Sequence, residues 1–207
     1  MSNPRSSSRS WKERQQKDPY VLKARRDGWR SRAVYKLEQI DQKERLLRKG
    51  MLCVDLGAAP GSWSQYVTEK LNADVRIVAV DLLPMDSLPS VDFVEGDFTD
   101  DEVLAAMKMA IADTPVDLVI SDMAPNISGN RAIDQPRSMY LAELAMEFCK
   151  EMLKPGGDFI CKLFQGEGID EYIVAARAAF KRVKVMKPKA SRPGSREVYL
   201  VARNYRL

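Results

Sequence analysis

The chain alternates short apolar runs with longer segments in which apolar residues recur every three or four positions. The short runs predict buried parallel strands, and the longer segments predict helices that cover them. The predicted strands are residues 51–56, 75–80, 91–95, 116–121, 157–163, 182–187 and 196–203. The predicted helices are residues 31–47, 61–71, 100–112, 136–153 and 169–179. This order predicts an α/β fold, a mostly parallel sheet of seven strands with helices on both faces.

The end of the chain departs from this alternation. The connection KPKASRPGSR, residues 187–196, is too short to contain a crossover helix. We therefore expect the last strand to be antiparallel to its neighbour. Earlier in the chain, the turn that begins at Lys154 (KPGG) is predicted to end the longest helix and start the next strand.

A glycine-proline loop follows the first predicted strand, in the segment MLCVDLGAAPGSW (Met51–Trp63). A strand, a glycine turn and a helix form the usual site for nucleotide-like ligands at the carboxyl end of an α/β sheet. The spacing is neither G-x-G-x-x-G nor that of a P-loop, and Pro60 removes a backbone donor that a phosphate would use. These features favour a ligand with ribose and adenine but no phosphate, such as S-adenosylmethionine. The alternative is a tight turn without a ligand.

Four acids follow four predicted strands: Asp55, Asp81, Asp97 and Asp122. Asp81 lies twenty residues beyond Gly61, the spacing at which an acid reaches ribose hydroxyls. Asp97 is placed to accept a hydrogen bond from an adenine amino group, and Asp122 lies near the methionine end of such a ligand. A single acid after a strand is more often a cap or turn residue. Four acids opposite one glycine loop favour a ligand site.

Composition narrows the chemistry that is available. The chain of 207 residues suits one domain, and no apolar run or leader suggests a membrane protein or a secreted one. Its three cysteines, Cys53, Cys149 and Cys161, lack metal-site spacing and are expected to be reduced thiols in a cytoplasm. The chain contains no histidine, so any proton transfer must use another residue.

Positive charge is concentrated at the start of the chain. Residues 1–36 hold eleven Lys or Arg against three acids, whereas the remainder carries a net charge of −4. We expect a flexible basic arm over residues 1–30 and a single domain over residues 31–207. Such an asymmetry indicates a polyanionic partner, nucleic acid above all, although a solvated tail is the alternative. Three aromatic residues could stack on bases or pack against the domain: Trp11, Tyr20 and Trp29.

Three further residues are unusual for their positions. Lys162 interrupts the apolar run FICKLF, where a buried ammonium is costly unless it is paired or neutral. Lys36 flanks the apolar stripe of its helix, and Glu197 opens the strand EVYLVA. Taken singly, they could be a snorkelling lysine, a rim lysine and an acid that protects an edge strand. Asp122, Lys162 and Glu197 are expected at or near the same rim of the sheet.

Taken together, the motifs SRAVYKL, VDLGAAPGSWSQY, VEGDF, SDMAPN, LKPGG, KLFQG and SREVYLVA resemble those of the FtsJ/RrmJ-type ribosomal RNA 2′-O-methyltransferases. The resemblance covers essentially the whole chain and implies a Rossmann-like class I fold that binds S-adenosylmethionine. The family's catalytic tetrad falls on Lys36, Asp122, Lys162 and Glu197. Its cofactor contacts fall on Gly61, Trp63, Asp81, Asp97 and Asp122.

The resemblance also implies a reaction. It is methyl transfer to the ribose 2′-oxygen of a uridine in the A-loop of 23S rRNA, with the large ribosomal subunit as substrate. We expect a cytoplasmic monomer without a metal or membrane partner, whose basic arm and loop 187–196 contact phosphates. Lys162 is the best candidate for the base, although it could instead stabilise the alkoxide.

Two other functions remain open. One is the same chemistry on another RNA, such as tRNA or an mRNA cap. The other is a non-catalytic RNA-binding factor for subunit assembly, which would not need a lysine inside an apolar strand. A base N-methyltransferase is disfavoured, because the motif [ND]-P-P-[YFW] is missing.

Overall fold

The structure, a computed structural model, describes residues 18–206. In chain order its helices are α1 (Pro19–Arg26), α2 (Val34–Glu44), α3 (Ser62–Lys70), α4 (Asp101–Ile111), α5 (Arg131–Met152) and α6 (Ile169–Ala179). Its strands are β1 (Met51–Leu56), β2 (Val75–Asp81), β3 (Val91–Glu95), β4 (Val116–Ser121), β5 (Leu153–Phe164), β6 (Phe180–Met186) and β7 (Glu197–Tyr205).

The strands form one seven-stranded sheet in the order β3-β2-β1-β4-β5-β7-β6. The first five strands pair in parallel, and β7 runs antiparallel to both β5 and β6. The predicted fold class is therefore confirmed, including the antiparallel last strand. The strand order reverses between β1 and β4, and ligands of open α/β sheets bind at the carboxyl ends of the strands beside such a point.

Alternate residues of the central strands pack into two hydrophobic clusters, one on each face of the sheet. On one face, Leu56 and Val119 pack with Met107 of α4 and Met146 of α5. On the other, residues of α2 and α3 pack with the opposite side of the same strands. Every residue of β1 is buried, so the strand that leads into the glycine loop is held from both sides.

Two helices differ from their predicted bounds by more than one residue at an end. Helix α5 begins at Arg131, because the side chain of Asn130 accepts a hydrogen bond from the backbone N–H of Ala132 and caps it. Pro136 lies inside the helix and removes one backbone hydrogen bond without ending it. Helix α2 ends at Glu44, since Arg45 adopts a left-handed conformation.

The segment predicted to be a basic arm is only partly described. Residues 1–17, including Trp11, lie outside the described part of the chain, so the arm and its boundary at residue 30 stay predictions. Helix α1, which we did not predict, begins at the Asp18–Pro19 pair, where the Asp18 carboxylate caps the backbone N–H of Tyr20. Tyr20 packs on Tyr35, so it contacts the domain.

Two expectations about the rest of the chain can be compared with this structure. The three cysteines are buried and unpaired, as expected of core thiols. Within residues 18–206, no helix has the length and hydropathy needed to cross a membrane.

Candidate active site

A cleft of about 400 Å³ opens at the carboxyl ends of β1, β2, β3 and β4. Its walls come from the loops that follow these four strands and from one residue of α5. The lining residues are Gly57, Ala59, Val80, Asp81, Leu82, Leu83, Gly96, Asp97, Phe98, Asp122, Met123, Ala124, Asn126 and Leu141. Three predicted site residues (Asp81, Asp97 and Asp122) are thus brought together in one cleft.

The glycine loop must be free of side chains where it meets its neighbours. Gly57 has a φ of +78°, and a Cβ there would lie 2.8 Å from the Cγ of Met123. Gly61 has a φ of +99°, and a Cβ there would lie 2.7 Å from the Sδ of Met85. A side chain at Gly57 would also meet the backbone of Met123 and push apart the loops that form the cleft. At Gly61 the nearest atoms belong to side chains, those of Met85 and Arg30 among them, so its left-handed φ is what disfavours other residues. Gly61 therefore lies against its neighbouring loop and is not among the residues that line the cleft.

Asp81 and Asp97 are held in place by the backbone around them. The Asp81 carboxylate accepts hydrogen bonds from the N–H groups of Ala59 and Leu83, both at 2.9 Å. Asp97 accepts from the backbone N–H and the hydroxyl of Thr99, at 2.9 and 2.8 Å. Each acid therefore presents a fixed acceptor to the cleft.

Asp55, the first of the four acids that follow strands, does not line the cleft. It is fully buried beneath the glycine loop and accepts a hydrogen bond from the Ser64 hydroxyl at 2.7 Å. Among residues 18–206, nothing donates to its other oxygen. Burial, with the charges of Asp122 and Asp81, raises the pKa of Asp55 to about 7. The interpretation of all four acids as a ligand-facing group is therefore wrong for this one.

Trp63, predicted to contact the cofactor, is buried beside the cleft and not in its lining. Its indole N–H donates to the Ala33 carbonyl at 2.8 Å, and its ring lies 5.8 Å from that of Tyr199. The side chain thereby joins α3 to the start of α2 and to β7.

The four predicted tetrad residues form two ion pairs. The Lys162 ammonium donates to the backbone carbonyl of Asp122 and lies 3.2 Å from its carboxylate. The Lys36 ammonium lies 2.9 Å from the Glu197 carboxylate. Lys162 is only 8% exposed, so the unusual lysine of FICKLF is buried and paired. The structure brings all four predicted residues to one end of the sheet.

Tyr199 connects these two pairs, and sequence reasoning did not single it out. In the sheet it lies opposite Lys162. Its hydroxyl donates to the Asp122 carboxylate at 2.6 Å, and the Lys36 ammonium lies 5.7 Å from the centre of its ring. The available signal was its spacing, because residues two apart on a strand share a face, and Tyr199 follows Glu197 by two.

Charges around Asp122 decide its ionisation. Burial opposes the charged form, but the ammonium groups of Lys162 and Lys36 outweigh it. The hydroxyl of Tyr199 adds to their effect, and together they hold the pKa of Asp122 below its usual value. Asp122 is therefore a carboxylate at neutral pH.

Sequence reasoning also missed Arg30, whose side chain links two of the loops that form the cleft. Its guanidinium donates to three backbone carbonyls, those of Pro60 at 3.1 Å, Asp86 at 2.7 Å and Ser87 at 2.9 Å. Pro60 belongs to the glycine loop, and the other two belong to the loop after Asp81. Because both loops line the cleft, this one side chain fixes the distance between two of its walls.

The donor and acceptor groups of the cleft suit S-adenosylmethionine. Carboxylates match the hydroxyls of a ribose, the amino group of adenine and a cationic amino acid end, and Phe98 offers an apolar surface beside Asp97. Within residues 18–206, no group of three His, Cys, Asp or Glu side chains is arranged to hold a metal ion.

The sequence matches a known family. The profile of the family described as FtsJ-like methyltransferase matches residues 29–205. The chain is 53% identical to the ribosomal RNA large subunit methyltransferase E of Legionella pneumophila strain Paris, over 99% of this chain and 100% of that protein. It is 56% identical to the protein of the same name from Pseudomonas aeruginosa strain PAO1, over 97% of each chain.

Solved structures agree with this match. A Plasmodium falciparum protein assigned as a ribosomal RNA methyltransferase superposes with a TM-score of 0.78 at 32% identity, over 86% of this chain and 98% of that one. A Clostridium thermocellum protein assigned as an rRNA methylase gives a TM-score of 0.55 at 13% identity, over 82% and 97% of the two chains. The second likeness concerns the fold alone.

Proposed function

The chain belongs to the FtsJ-like methyltransferase family, and we propose that it methylates the ribose 2′-oxygen of a uridine in the A-loop of 23S rRNA. The large ribosomal subunit is the substrate and S-adenosylmethionine the methyl donor. The observation that carries this proposal is the buried Lys162–Asp122 pair at the rim of a nucleoside-sized cleft. The names of the relatives from Legionella pneumophila and Pseudomonas aeruginosa support the ribosomal substrate.

The cleft supplies the contacts for the cofactor. Asp81 would accept from the ribose hydroxyls, Asp97 from the adenine amino group, and Asp122 would face the methionine end. Gly61 and Trp63 would act from outside the lining, by shaping the loop and supporting its helix. When bound, S-adenosylmethionine supplies a methyl group already activated by its sulfonium.

The protein's own task is to hold the acceptor hydroxyl and manage its proton. A ribose hydroxyl ionises too weakly near neutral pH to react unaided. Lys162 is the amine at the cleft rim, and its contacts with Asp122 fix where its nitrogen lies. In its neutral amine form, Lys162 would take the proton of the 2′-hydroxyl from this position and become the ammonium that Asp122 stabilises. Lys36 and Glu197 would orient the nucleotide on the other side of Tyr199.

Basic residues around the site provide the electrostatic attraction for RNA. Arg25 and Arg26 of α1 have exposed side chains, as do Lys187, Lys189 and Arg192 of loop 187–196, and these cations suit a phosphate backbone. We include in the proposal that the protein works as a cytoplasmic monomer. A non-catalytic assembly factor is less well supported, because a pure binder gains nothing from two lysine–carboxylate pairs beside a cleft.

Labelled S-adenosylmethionine offered with large subunits, free rRNA or tRNA tests this proposal. We expect label to enter the large subunits, with the methyl group on the 2′-oxygen of one A-loop uridine when the product is mapped by nuclease digestion and mass spectrometry. Labelling of tRNA alone, or of a base atom, would contradict it.

A further inference from the structure

Positive charge is also concentrated far from the tetrad, at the end of α2 and on the edge strand β6. Six exposed side chains form this region, which we call the distal basic patch: Lys43, Arg45, Arg48, Lys49, Arg182 and Lys184. At 1.5 Å per residue, Glu44 lies about 12 Å along α2 from Lys36. The loop after α2 leads into the start of β1, whereas the cleft lies at the carboxyl ends of the strands. The patch is therefore separate from the basic residues around the site.

Local contacts fold the loop after α2 onto the end of that helix. The Asp41 carboxylate accepts hydrogen bonds from the backbone N–H groups of Leu46 and Leu47, at 2.9 and 3.2 Å. The Leu46 side chain is buried in the core. On the same side, the Glu44 carboxylate is bonded to both cations of β6. Because these contacts hold the helix end, the loop and the strand together, the six cations belong to one surface.

Carboxylates near the patch do not balance its charge. Glu44 is paired with the cations of β6, and Asp41 is turned toward backbone N–H groups and the hydroxyl of Tyr66. Asp74 adjoins the loop, since its carbonyl accepts a hydrogen bond from the N–H of Gly50. Six cations against these three acids leave three positive charges in excess. Within residues 18–206, the ion pairs of the patch involve only its two cations from β6.

Helix stability explains only part of this charge. Cations near a helix C-terminus interact favourably with the helix dipole, which accounts for Lys43 and Arg45. Arg48 and Lys49 lie beyond Glu44, the last residue of α2, by about one further turn of chain, where that interaction has decayed. Both side chains are exposed, so they are available to an anionic partner.

The chemistry of the patch favours RNA over protein as that partner. Within residues 43–50, no large apolar side chain is exposed. Protein–protein interfaces have an apolar core, whereas interfaces with nucleic acid are strongly positive and consist largely of Lys and Arg contacts to phosphates.

We propose that the distal basic patch binds the phosphate backbone of a ribosomal RNA segment outside the A-loop, while the tetrad holds the target ribose. This inference rests on the proposed function, since it presumes a ribosomal substrate. A second contact raises affinity only for a partner that reaches both surfaces at once. The patch therefore selects the large subunit over a short RNA fragment that contains the target nucleotide.

Replacing Arg48 and Lys49 together by glutamine tests the proposal, with Lys150→Gln/Arg177→Gln as the matched control. Each variant loses one arginine and one lysine, and the control residues are exposed on α5 and α6, which cover the other face of the sheet. Equilibrium binding is measured with large subunits, protein-free 23S rRNA and an A-loop hairpin. For Arg48→Gln/Lys49→Gln we expect the Kd of the first two to rise about tenfold. The Kd of the hairpin should not change, and the control should bind all three as wild type does.

A salt titration supplies a readout that a structural defect would not move. The slope of log K against log salt for large subunits should lose about two units in Arg48→Gln/Lys49→Gln, and nothing in the control. Equal Kd values and slopes for the two variants would overturn the proposal. An equal loss with the hairpin would also overturn it, by placing the contact within the A-loop. A loss with subunits but not with protein-free rRNA would assign the patch to a ribosomal protein instead.

Because binding is measured without methyl transfer, this proposal and the proposed function can fail separately. If the wild-type protein methylates no ribosomal RNA, the proposed function fails, and the Kd comparison still decides the role of the patch.

Discussion

Helix α2 carries a charged side chain into a buried cluster at each of its ends, and the two clusters are built differently. At its start, Lys36 joins the tetrad, in which the lysines as well as the acids are largely buried. At its end, the Glu44 carboxylate is buried, but its partners Arg182 and Lys184 are about half exposed. Strand β7 also contributes to both clusters, through Glu197 and Arg203.

The difference separates a stabilising cluster from a reactive one. Around Glu44 the cations keep their hydration and the acid is satisfied, so the cluster fastens α2 to the sheet edge at little cost. In the tetrad, the ammonium groups are removed from water beside an open cleft, and this desolvation costs free energy. Such a cost is expected where the groups serve a purpose other than stability. We infer that the tetrad is maintained for chemistry and the Glu44 cluster for stability.

Replacing Asp122 by asparagine should give the largest effect. The change keeps the shape of the side chain but removes the charge that fixes the Lys162 ammonium. Misplacing or unbalancing a proton-transfer group typically costs a factor of 10² to 10⁴, so we expect kcat to fall about a thousandfold. Steady-state methylation of large subunits measures this, and a kcat within tenfold of wild type would argue against the pair.

Asp55 sharpens the comparison, because it is a buried acid without a cation. Its folded pKa of about 7 lies above its ordinary value of 3.8, so the folded state holds the proton more tightly than the unfolded state. The contribution of Asp55 to stability should then be greatest below pH 4 and fall, by about 4 kcal/mol in all, as the pH rises to about 7.

Urea unfolding at several pH values tests this, with Asp55→Asn as the comparison. The pKa of Asp122 lies below its ordinary value, so its contribution is lost only at lower pH and does not overlap this window. The asparagine variant should show a flat profile between pH 4 and 7. An equally steep profile in both proteins would assign the effect to other groups.

Replacing Glu44 by glutamine should affect stability and leave catalysis alone. Burial opposes its charge, but Lys184 and Arg182 outweigh burial and hold the pKa of Glu44 below its usual value. Because those cations can return to water, we expect a loss of about 2 kcal/mol, less than for a fully buried pair. Thermal unfolding should show the loss while kcat at 25 °C is unchanged, and a large fall in kcat would erase the distinction between the clusters.

Replacing Arg30 by methionine should have the smallest effect. It releases the two loops that frame the cofactor cleft, so the Kd for S-adenosylmethionine should rise about tenfold. Arg26→Met is the control, since that side chain is 75% exposed and lies in the same basic segment. Calorimetric titration of both variants measures the difference, and equal Kd values would leave Arg30 without a role in the cleft.

How far the sequence predicted this molecule depended on how local each signal was. The alternation of strands with helices and the short last connection predicted the sheet. The position of Lys162 inside the apolar run FICKLF marked it as a candidate site residue. Tyr199 and Arg30 were missed, because their roles come from contacts with residues distant in the chain. Asp55 was misassigned for the opposite reason: its position after a strand is local, but its burial depends on the packing of α3.

Lys162 is required for the transfer step, where it takes the proton of the acceptor, whereas the cleft alone binds the cofactor. Single-turnover methylation by Lys162→Ala, preloaded with labelled S-adenosylmethionine and mixed with large subunits, tests it most directly. We predict cofactor affinity close to wild type and no methyl group transferred on the time scale of wild-type turnover. Near-normal transfer by this variant would contradict the account.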